Sequence, residues 1–259
     1  MPTPTQITML ESVARTANHQ PIAILTYHQI DAIPPKGAPF RSIYVTPSAF
    51  ARQMAMLKLL GYTGLSMSAL MPYLKGERIG KVVGITLDDG YLNNLTHALP
   101  VLARHGFSAT CYAVSQLAGK TNIWDAEIGI AQTPLMDAAQ LREWVAGGQE
   151  IGAHTRHHVR LPQIDIDTSR EEITRSKGEL EALSGAPVNN FCYPYGEFAP
   201  VHTEIAREAG FHSTTTTQRS RVQAGEDMML LPRVRVVNNT VLPVLWQKVA
   251  TAYEDRRRS

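Results

Sequence analysis

The sequence predicts an α/β fold in which parallel strands alternate with helices. Apolar, β-prone runs and amphipathic helical runs alternate along most of the chain, and no repeat, linker or low-complexity tract interrupts them. Several of the strand-like runs end in polar, titratable residues. Seven or so strand–helix units in 259 residues favour either a closed barrel or a doubly wound open sheet. In both architectures the chemistry lies at the carboxyl ends of the strands.

The first half of the chain contains three predicted strands and two predicted helices. They are a strand at 21–28, a helix at 46–62, a strand at 81–87, a helix at 95–107 and a strand at 108–114. The first helix has Thr46 as its expected N-cap and Pro47 at its first helical position, and its apolar residues recur at helical spacing. The second helix has Pro100 near its start, and Gly106 ends it.

The second half continues the alternation. Its elements are a helix at 136–148, a strand at 149–155, a helix at 168–185, a strand at 188–196, a helix at 200–211, strands at 212–217 and 231–236, and a helix at 241–257. Ser169 and Glu172 have the spacing of a capping box, so the long polar-faced helix is expected to start there. The charged C-terminal tail "EDRRRS" is expected to be a solvated helix end.

Composition and charge exclude several classes of protein. A net charge of +2, from 25 basic and 23 acidic residues, gives no reason to expect a nucleic acid partner. No run approaches the 18 apolar residues of a membrane-spanning helix, so no integral membrane segment is expected. The opening residues lack the basic start and apolar core of a secretory signal. As written, the chain is expected to be cytoplasmic, or secreted or periplasmic if a signal has been removed.

The two cysteines are expected to be structural. Cys111 and Cys192 each lie in an apolar, β-prone run. Two cysteines cannot form a dense disulfide framework, so buried free thiols are the expected state.

Titratable side chains gather where the predicted strands end. The set comprises Tyr27 and His28, Asp88 and Asp89, His154, Tyr193 and Tyr195, and Arg233 and Arg235. His202 and His212, by contrast, flank a predicted helix and are expected to be peripheral. Carboxylates, histidines and arginines at strand ends are the residue types that an α/β enzyme needs at its site.

Asp88 and Asp89 form the sharpest local feature. Side chains on a strand alternate between faces, so adjacent aspartates inside a strand would be buried on opposite sides at a high cost. At a strand end, Gly90 permits a turn that could bring both carboxylates to one cavity. One aspartate could then bind a metal while the other stays free as a base. The alternative is an N-cap pair for the following helix.

The segment "HTRHH", residues 154–158, indicates a metal site. His154 and His158 are four residues apart, and on a turn of helix they would share one face. Neutral imidazoles bind zinc and related divalent ions, and two histidines with one carboxylate leave positions open for water and substrate. The alternative interpretation is a solvated polar turn after a strand.

In combination these motifs resemble a known enzyme family. The segments "TLDDG", "HTRHH", "FCYPYG" and "LPRVRV", in this order, are similar to the polysaccharide deacetylases of the fourth carbohydrate esterase family, also called the NodB-homology family. Leu87 stands where the first motif usually has an aromatic residue. "ILTYHQI" and "YPYG" resemble the poly-N-acetylglucosamine deacetylase branch, in which an N-terminal histidine does the work of a late histidine elsewhere.

The resemblance implies a fold and an activity. It implies a distorted (β/α)7 barrel, as a single domain at 21–259 after an N-terminal extension at 1–20. It also implies metal-dependent removal of N-acetyl groups from an N-acetylated glycan. Two alternatives remain: a related amidohydrolase that opens a small or cyclic amide, and a glycan-binding module with a relic pocket. Protein partners are not indicated.

The resemblance also implies a metal site and an acid–base pair. Asp89, His154 and His158 correspond to the ligands of one divalent ion, with zinc expected first and cobalt or nickel as alternatives. Asp88 corresponds to the general base and His28 to the general acid.

Further roles follow from the third and fourth motifs. Tyr195 would offer its backbone N–H to the oxyanion. Tyr193 stands just before the motif's proline, at the place where other branches carry an arginine that steadies the base. Arg233 is therefore the candidate for that task, and Arg235 is the second choice. Sugar stacking or ordinary packing is open for three aromatic residues, Trp124, Tyr27 and Tyr91.

Overall fold

A computed structural model describes residues 20–258 of the chain. Apart from Gln20, the predicted N-terminal extension lies outside these residues. The strands within this range are β1 (Ile24–Tyr27), β2 (Gln29–Ile30), β3 (Tyr44–Val45), β4 (Thr63–Leu65), β5 (Val82–Leu87), β6 (Thr110–Ala113), β7 (Glu150–Ala153), β8 (Asn190–Cys192), β9 (Ser213–Arg219) and β10 (Leu231–Arg235). The α-helices there are α1 (Pro47–Leu59), α2 (Met67–Leu74), α3 (Leu99–His105), α4 (Ala138–Ala146), α5 (Ile166–Ser184), α6 (Pro200–Glu208) and α7 (Leu242–Ala250).

Seven parallel strands close into a barrel. The ring runs β1, β5, β6, β7, β8, β9, β10 and back to β1. The ring is distorted because β4 pairs with the first half of β5, whereas β6 pairs with its second half. β2 and β3 form a separate two-stranded sheet. The closed barrel decides between the two architectures that alternation left open, and it confirms the distorted (β/α)7 barrel.

The two faces of the strands supply two apolar clusters. Leu25, Ile85 and Phe191 belong to the larger cluster, which lies between the barrel and the helices. Ile24 and Leu231 belong to a second cluster inside the barrel. Because strand side chains alternate, β1, β5, β6, β8 and β10 each contribute to both clusters. Four residues of α2 join the interior cluster, namely Met67, Leu70, Met71 and Leu74.

One glycine makes room inside the barrel. A Cβ on Gly152 of β7 would lie 2.4 Å from Cδ1 of Tyr112 and 3.0 Å from the carbonyl oxygen of Asn190. The Tyr112 ring is wholly buried. A side chain at 152 would therefore collide with the aromatic ring that fills the barrel beneath the strand ends.

Most predicted elements lie where expected, and the cap of α1 is confirmed. The hydroxyl of Thr46 accepts a hydrogen bond from the backbone N–H of Ala49 at 3.2 Å. The segment between the first predicted helix and β5 contains β4 and α2, which the sequence interpretation missed. Pro72 lies inside α2, and an internal proline argues against a helix when only the sequence is read.

The predicted capping box on α5 is wrong. The helix starts one turn earlier, with Asp165 as its N-cap, because the Asp165 carboxylate accepts from the backbone N–H of Thr168 at 2.9 Å. Ser169 and Glu172 lie inside the helix, and both side chains are buried. They contact the loop after β7 instead of the helix end.

The prediction of a solvated helix end is wrong for Glu254, the first residue of the C-terminal tail, whereas Arg256, Arg257 and Arg258 are exposed. α7 ends at Ala250, and the chain turns back so that Glu254 is wholly buried. The Glu254 carboxylate accepts from Nζ of Lys248 at 2.5 Å and from Nε of Arg219 at 2.8 Å. Within the described range, no helix combines the length and apolar character needed to cross a bilayer.

Candidate active site

Strand alternation delivers the candidate residues to one mouth of the barrel. Each of five comes two positions after a residue on the interior face, and four of these lie at or just after the carboxyl end of their strand, whereas Arg233 lies inside β10. These pairs, with the interior residue first, are Thr26 and His28, Thr86 and Asp88, Gly152 and His154, Asn190 and Cys192, and Leu231 and Arg233. The register of the ring therefore places two imidazoles, a carboxylate, a thiol and a guanidinium together.

The turn after β5 separates the two aspartates. Asp88 still follows the strand, and its N–H donates to the carbonyl of Tyr27 at 3.0 Å. Asp89 and Gly90 then adopt left-handed backbone conformations, with φ of 77° and 80°. Such a conformation costs a non-glycine residue about 1–3 kcal/mol. The turn bends at Asp89 as well as at Gly90, and it brings both carboxylates to the same mouth.

Asp89, His154 and His158 converge on one point. Oδ1 of Asp89 lies 3.4 Å from Nε2 of each histidine, which is longer than a good N–H···O hydrogen bond. All three side chains are buried, and their ligand atoms lie within 4.8 Å of one another. A tetrahedron with arms of about 2.1 Å has an edge of about 3.4 Å. The spacing and the N, N, O donor set therefore fit a zinc-like ion.

Hydrogen bonding orients the first histidine. Nδ1 of His154 lies 2.7 Å from the carbonyl oxygen of Cys192. A carbonyl can only accept, so Nδ1 donates to it, and Nε2 is the ring nitrogen that faces Asp89. Burial acts to raise the pKa of Asp89, but His154 and His158 outweigh it and hold that pKa well below its usual range.

The second histidine is held by packing. Its ring stacks on Trp124, with centroids 4.3 Å apart, and meets the edge of Tyr195 at 4.6 Å. Nδ1 of His158 is buried and has no hydrogen-bond partner among the described residues.

The two histidines do not share a helical face, so that part of the sequence argument is wrong. Residues 154–158 form a loop in which Thr155 and His158 have φ of 61° and 59°. The Thr155 hydroxyl accepts from the backbone N–H of His158 at 2.9 Å. His157 turns aside toward Glu172. A short loop with two left-handed residues therefore brings together side chains that are four positions apart.

Asp88 has a different partner. Arg233 donates two hydrogen bonds to its carboxylate, Nη1 to Oδ1 at 2.7 Å and Nη2 to Oδ2 at 2.8 Å. Burial acts to raise the pKa of Asp88, but the Arg233 guanidinium outweighs it and lowers that pKa. Arg235 is exposed and donates to Ser42 instead. Of the two predicted arginines, only Arg233 contacts the candidate base.

His28 lies on the open side of the Asp88–Arg233 pair. Its Nε2 is 3.8 Å from Oδ2 of Asp88, and its side chain is 24% exposed. Burial lowers the pKa of His28, although Asp88 and Asp89 act against this shift. The arrangement gives one carboxylate a fixed cation on one side and a titratable imidazole on the other.

The "YPYG" turn contributes Tyr195 to the rim. Tyr195 has φ of 59°, and its ring also lies under the guanidinium of Arg160, 3.8 Å from the ring centroid. Tyr193 points the other way and stacks on Phe198 in the outer cluster. Its burial there explains why position 193 supplies no group to Asp88.

Two of the three aromatic candidates are buried and cannot stack on a sugar. Tyr27 is 0% exposed and donates its hydroxyl hydrogen to Gln53, and Tyr91 is 1% exposed. Trp124 stays at the rim, partly exposed, against His158. His202 is buried at the start of α6, where its Nδ1 accepts from the N–H of the N-cap residue Ala199, and it has no contact with the site residues named above.

Cys192 is the site residue that sequence reasoning missed. Nη2 of Arg233 lies 3.2 Å from its Sγ, and its carbonyl accepts from His154. The interior position of Asn190, two residues earlier, was the available signal. Both cysteines are free and buried, as expected.

Comparisons with known proteins agree with this geometry. A family model described as polysaccharide deacetylase matches residues 75–214. The chain is 26% identical to the YxkH protein of Bacillus subtilis (strain 168), across 86% of this chain and 74% of that protein. It is 22% identical to poly-β-1,6-N-acetyl-D-glucosamine N-deacetylase of Escherichia coli (strain K12), across 91% of this chain but only 39% of the relative. The solved Streptococcus pyogenes deacetylase PplD, in complex with acetate, has a TM-score of 0.78 at 25% identity, covering 89% of this chain and 98% of that one.

Proposed function

This chain belongs to the polysaccharide deacetylase family, and from that premise we propose that it is a metal-dependent hydrolase removing N-acetyl groups from a glycan of the N-acetylglucosamine type. The observation that carries the proposal is the division of labour at the barrel mouth. Asp89 meets His154 and His158, while the adjacent Asp88 is held apart by Arg233. A binding module would need neither this separation nor a second buried carboxylate.

The proposed metal ligands are Asp89, His154 and His158. Their donor set and their separations of 3.4 Å support zinc, with cobalt and nickel as alternatives. When bound, such an ion supplies Lewis acidity toward the acetyl carbonyl and makes water a better nucleophile at neutral pH.

Asp88 is the proposed general base. Its lowered pKa keeps the carboxylate ionised at neutral pH, and the two-point contact with Arg233 fixes its orientation. It accepts a proton from water as the water attacks the acetyl carbon. The backbone N–H of Tyr195 is the proposed donor to the oxygen that becomes negative in that step.

His28 is the proposed general acid. An amine leaves poorly unless it is protonated. The His28 side chain is 24% exposed, so a leaving amine at the barrel mouth could reach it. Because burial lowers its pKa, protonated His28 is a stronger acid than an exposed histidine, although a smaller fraction is protonated at neutral pH.

Similarity to a relative and one aromatic residue at the rim support the substrate class. The Escherichia coli relative is named for poly-β-1,6-N-acetyl-D-glucosamine, and Trp124 offers an aromatic face beside His158. We propose that residues 21–259 form the catalytic domain, since the ring begins at Ile24 and ends at Arg235. The extension at 1–20 precedes that domain.

Metal analysis combined with acetate release tests the function. We expect about one divalent ion per chain, and acetate released from β-1,6-linked N-acetylglucosamine oligomers in amounts equal to the free amines formed. Stripping the ion with a chelator should abolish the release, and adding zinc should restore it. Ring opening of a cyclic amide without acetate release would favour the amidohydrolase alternative. Oligomer binding without turnover would favour the relic.

A further inference from the structure

We propose that Glu172, on α5, is a positioning residue that fixes the loop at 154–158 in the conformation in which His158 reaches Asp89. The inference rests on the proposed metal-dependent function. It adds a residue from outside the barrel strands, on a helix that packs behind the loop.

Glu172 binds the loop through both carboxylate oxygens. Oε2 accepts from the backbone N–H of Arg156 at 2.8 Å and from that of His157 at 2.9 Å. Oε1 lies 2.5 Å from Nδ1 of His157. The Glu172 residue is 4% exposed. A buried carboxylate is costly unless it is hydrogen-bonded, and here its hydrogen-bond partners among the described residues all belong to the loop.

The two N–H groups that Glu172 holds lie between the two strained residues of the loop. Thr155 and His158 have φ of 61° and 59°, and each such residue costs about 1–3 kcal/mol. Strained backbone of this kind persists only where surrounding contacts hold it. Arg156 and His157 are the residues between them, so their N–H groups are well placed to hold both backbone angles.

Two backbone carbonyls of the same loop are held by Ser115 and Gln116, which follow β6. The N–H of Ser115 donates to the carbonyl of Thr155 at 3.3 Å, and that of Gln116 donates to the carbonyl of Arg156 at 3.0 Å. Without Glu172, the loop would keep these two carbonyl contacts and the hydrogen bond from the His158 N–H to the Thr155 hydroxyl. The two N–H groups would lose their acceptor, and rotation at Thr155 and His158 would move Nε2 of His158 away from Asp89.

Zinc affinity of the full-length chain tests this inference. Chelator-stripped wild type, Glu172→Ala, Glu172→Gln and Glu171→Ala would compete for zinc against a fluorescent chelator, with melting temperatures recorded with and without zinc. We expect Glu172→Ala to weaken zinc binding about 10–100-fold, the range found when a group that supports a metal ligand is removed. Glu172→Gln should recover most of the affinity, because one amide oxygen can accept from both N–H groups.

Glu171→Ala is the matched control. Glu171 is the neighbouring residue on the same helix, its side chain is 60% exposed, and it pairs only weakly with Arg156 and Arg175 at 3.8 and 3.5 Å. Its affinity should equal that of wild type. A folded Glu172→Ala protein that binds zinc as tightly as wild type overturns the inference, even if its melting temperature is lower.

Two further outcomes are decisive. If Glu172→Ala does not fold, Glu172→Asp takes its place, since it keeps the charge but is one methylene shorter. About tenfold weaker binding supports the inference, and wild-type affinity overturns it. If wild type itself does not bind zinc, the proposed metal-dependent function fails and takes this inference with it. The two failures are thereby distinguishable.

Discussion

Two chemically identical side chains, Asp88 and Asp89, stand side by side and have unlike surroundings. Asp88 faces a permanent cation, since a guanidinium is not deprotonated in proteins. Asp89 faces imidazoles, which can change partners from a proton to a metal ion. The difference between the two roles comes from their neighbours in space, and it can be tested one residue at a time.

Asparagine at each position should separate the roles. We expect Asp88→Asn to lose turnover and keep its metal, because the three proposed ligands are untouched. Asp89→Asn should lose the metal and, as a result, activity. Metal content of the purified variants and acetate release at saturating zinc are the measurements.

Folding must be checked in that experiment. Removing one partner of a buried ion pair costs about 3–5 kcal/mol, so Asp88→Asn is expected to have a lower melting temperature. Circular dichroism should still report a folded protein at 25 °C. Equal metal loss in the two variants would contradict the division of roles.

His28→Ala tests the proton donor. We expect it to keep its metal and fold but to lose about 10²–10⁴-fold in kcat, the usual contribution of a general acid, with a smaller effect on KM. An acid must be protonated, so wild-type activity should fall as pH rises through the pKa of His28. That alkaline limb should be absent from the pH–rate profile of the variant. A near-normal kcat would leave the donor unassigned.

At the scale of residues, positions in the sequence predicted most side chains of the candidate site. The positions of His28 and Asp88 follow from strand ends and alternation, whereas Arg233 lies inside β10 and was predicted from the family resemblance. Cys192 follows from the same rule, but an apolar run hid it, because cysteine resembles a small hydrophobic residue. The partner of His157 was out of reach. Glu172 is 15 positions away and on another element, so only folding brings the two together.

At the scale of single elements, one glycine in β7 and one in α5 should respond to alanine with opposite changes in stability. Gly152→Ala should destabilise the protein by about 1–3 kcal/mol, the cost of overpacking, because the new Cβ would meet Tyr112 at 2.4 Å. Gly178 lies inside α5, and no atom lies within 4 Å of a Cβ placed there. Gly178→Ala should therefore stabilise the protein by about 0.5–1 kcal/mol. Urea unfolding of both variants measures the two effects.

The prediction is that the two substitutions change the free energy of unfolding in opposite directions. If both substitutions stabilise the protein, the barrel beneath the site has free volume and Tyr112 can move aside. If both destabilise it, position 178 has a contact in solution that the structure lacks.

Element boundaries show where local signals suffice. Thr46 and Pro47 gave the start of α1 correctly, since a cap and a proline act within one turn. Ser169 and Glu172 matched a capping pattern and misled, because Asp165 caps the helix one turn earlier. The pattern describes residues that can cap a helix, and tertiary contacts decide which residues do.

At the scale of the whole molecule, the C-terminal segment is tied to the barrel by charge. Burial acts to raise the pKa of Glu254, but hydrogen bonds from Arg219 and Lys248 outweigh it and lower that pKa. Its folded value therefore lies below the unfolded value of about 4.3. The pairing adds stability above that pH, and the added stability is lost as pH falls through the folded value.

Glu254→Gln should thus destabilise the protein in a pH-dependent way. Near pH 7 we expect a loss of about 3–5 kcal/mol in the free energy of unfolding, the usual effect of removing one partner of a buried pair. As pH falls below the unfolded value of about 4.3, the difference from wild type should shrink, since the wild-type chain then gains a proton on Glu254 when it unfolds. Urea unfolding across this range is the measurement, and a difference that does not vary with pH would contradict the argument.

Alternation of strands and helices predicted the fold class but could not decide between a barrel and an open sheet. That choice depends on whether β1 pairs with both β5 and β10, a contact between segments about 60 and 210 residues apart in the chain. No local pattern contains such a pairing. The motif resemblance supplied it, and the structure confirmed it.

The register of the ring also limits how the length of this chain can vary. Asp88 faces the mouth because it lies an even number of residues from Val82, whereas Leu87 faces the apolar layer outside. Inserting or deleting one residue within β5 would exchange those two environments. Additions and losses should therefore be tolerated in the connection at 31–43 and in the exposed segment 126–129, away from Ser115, Gln116 and Trp124, and relatives should differ in length there while their strands stay constant.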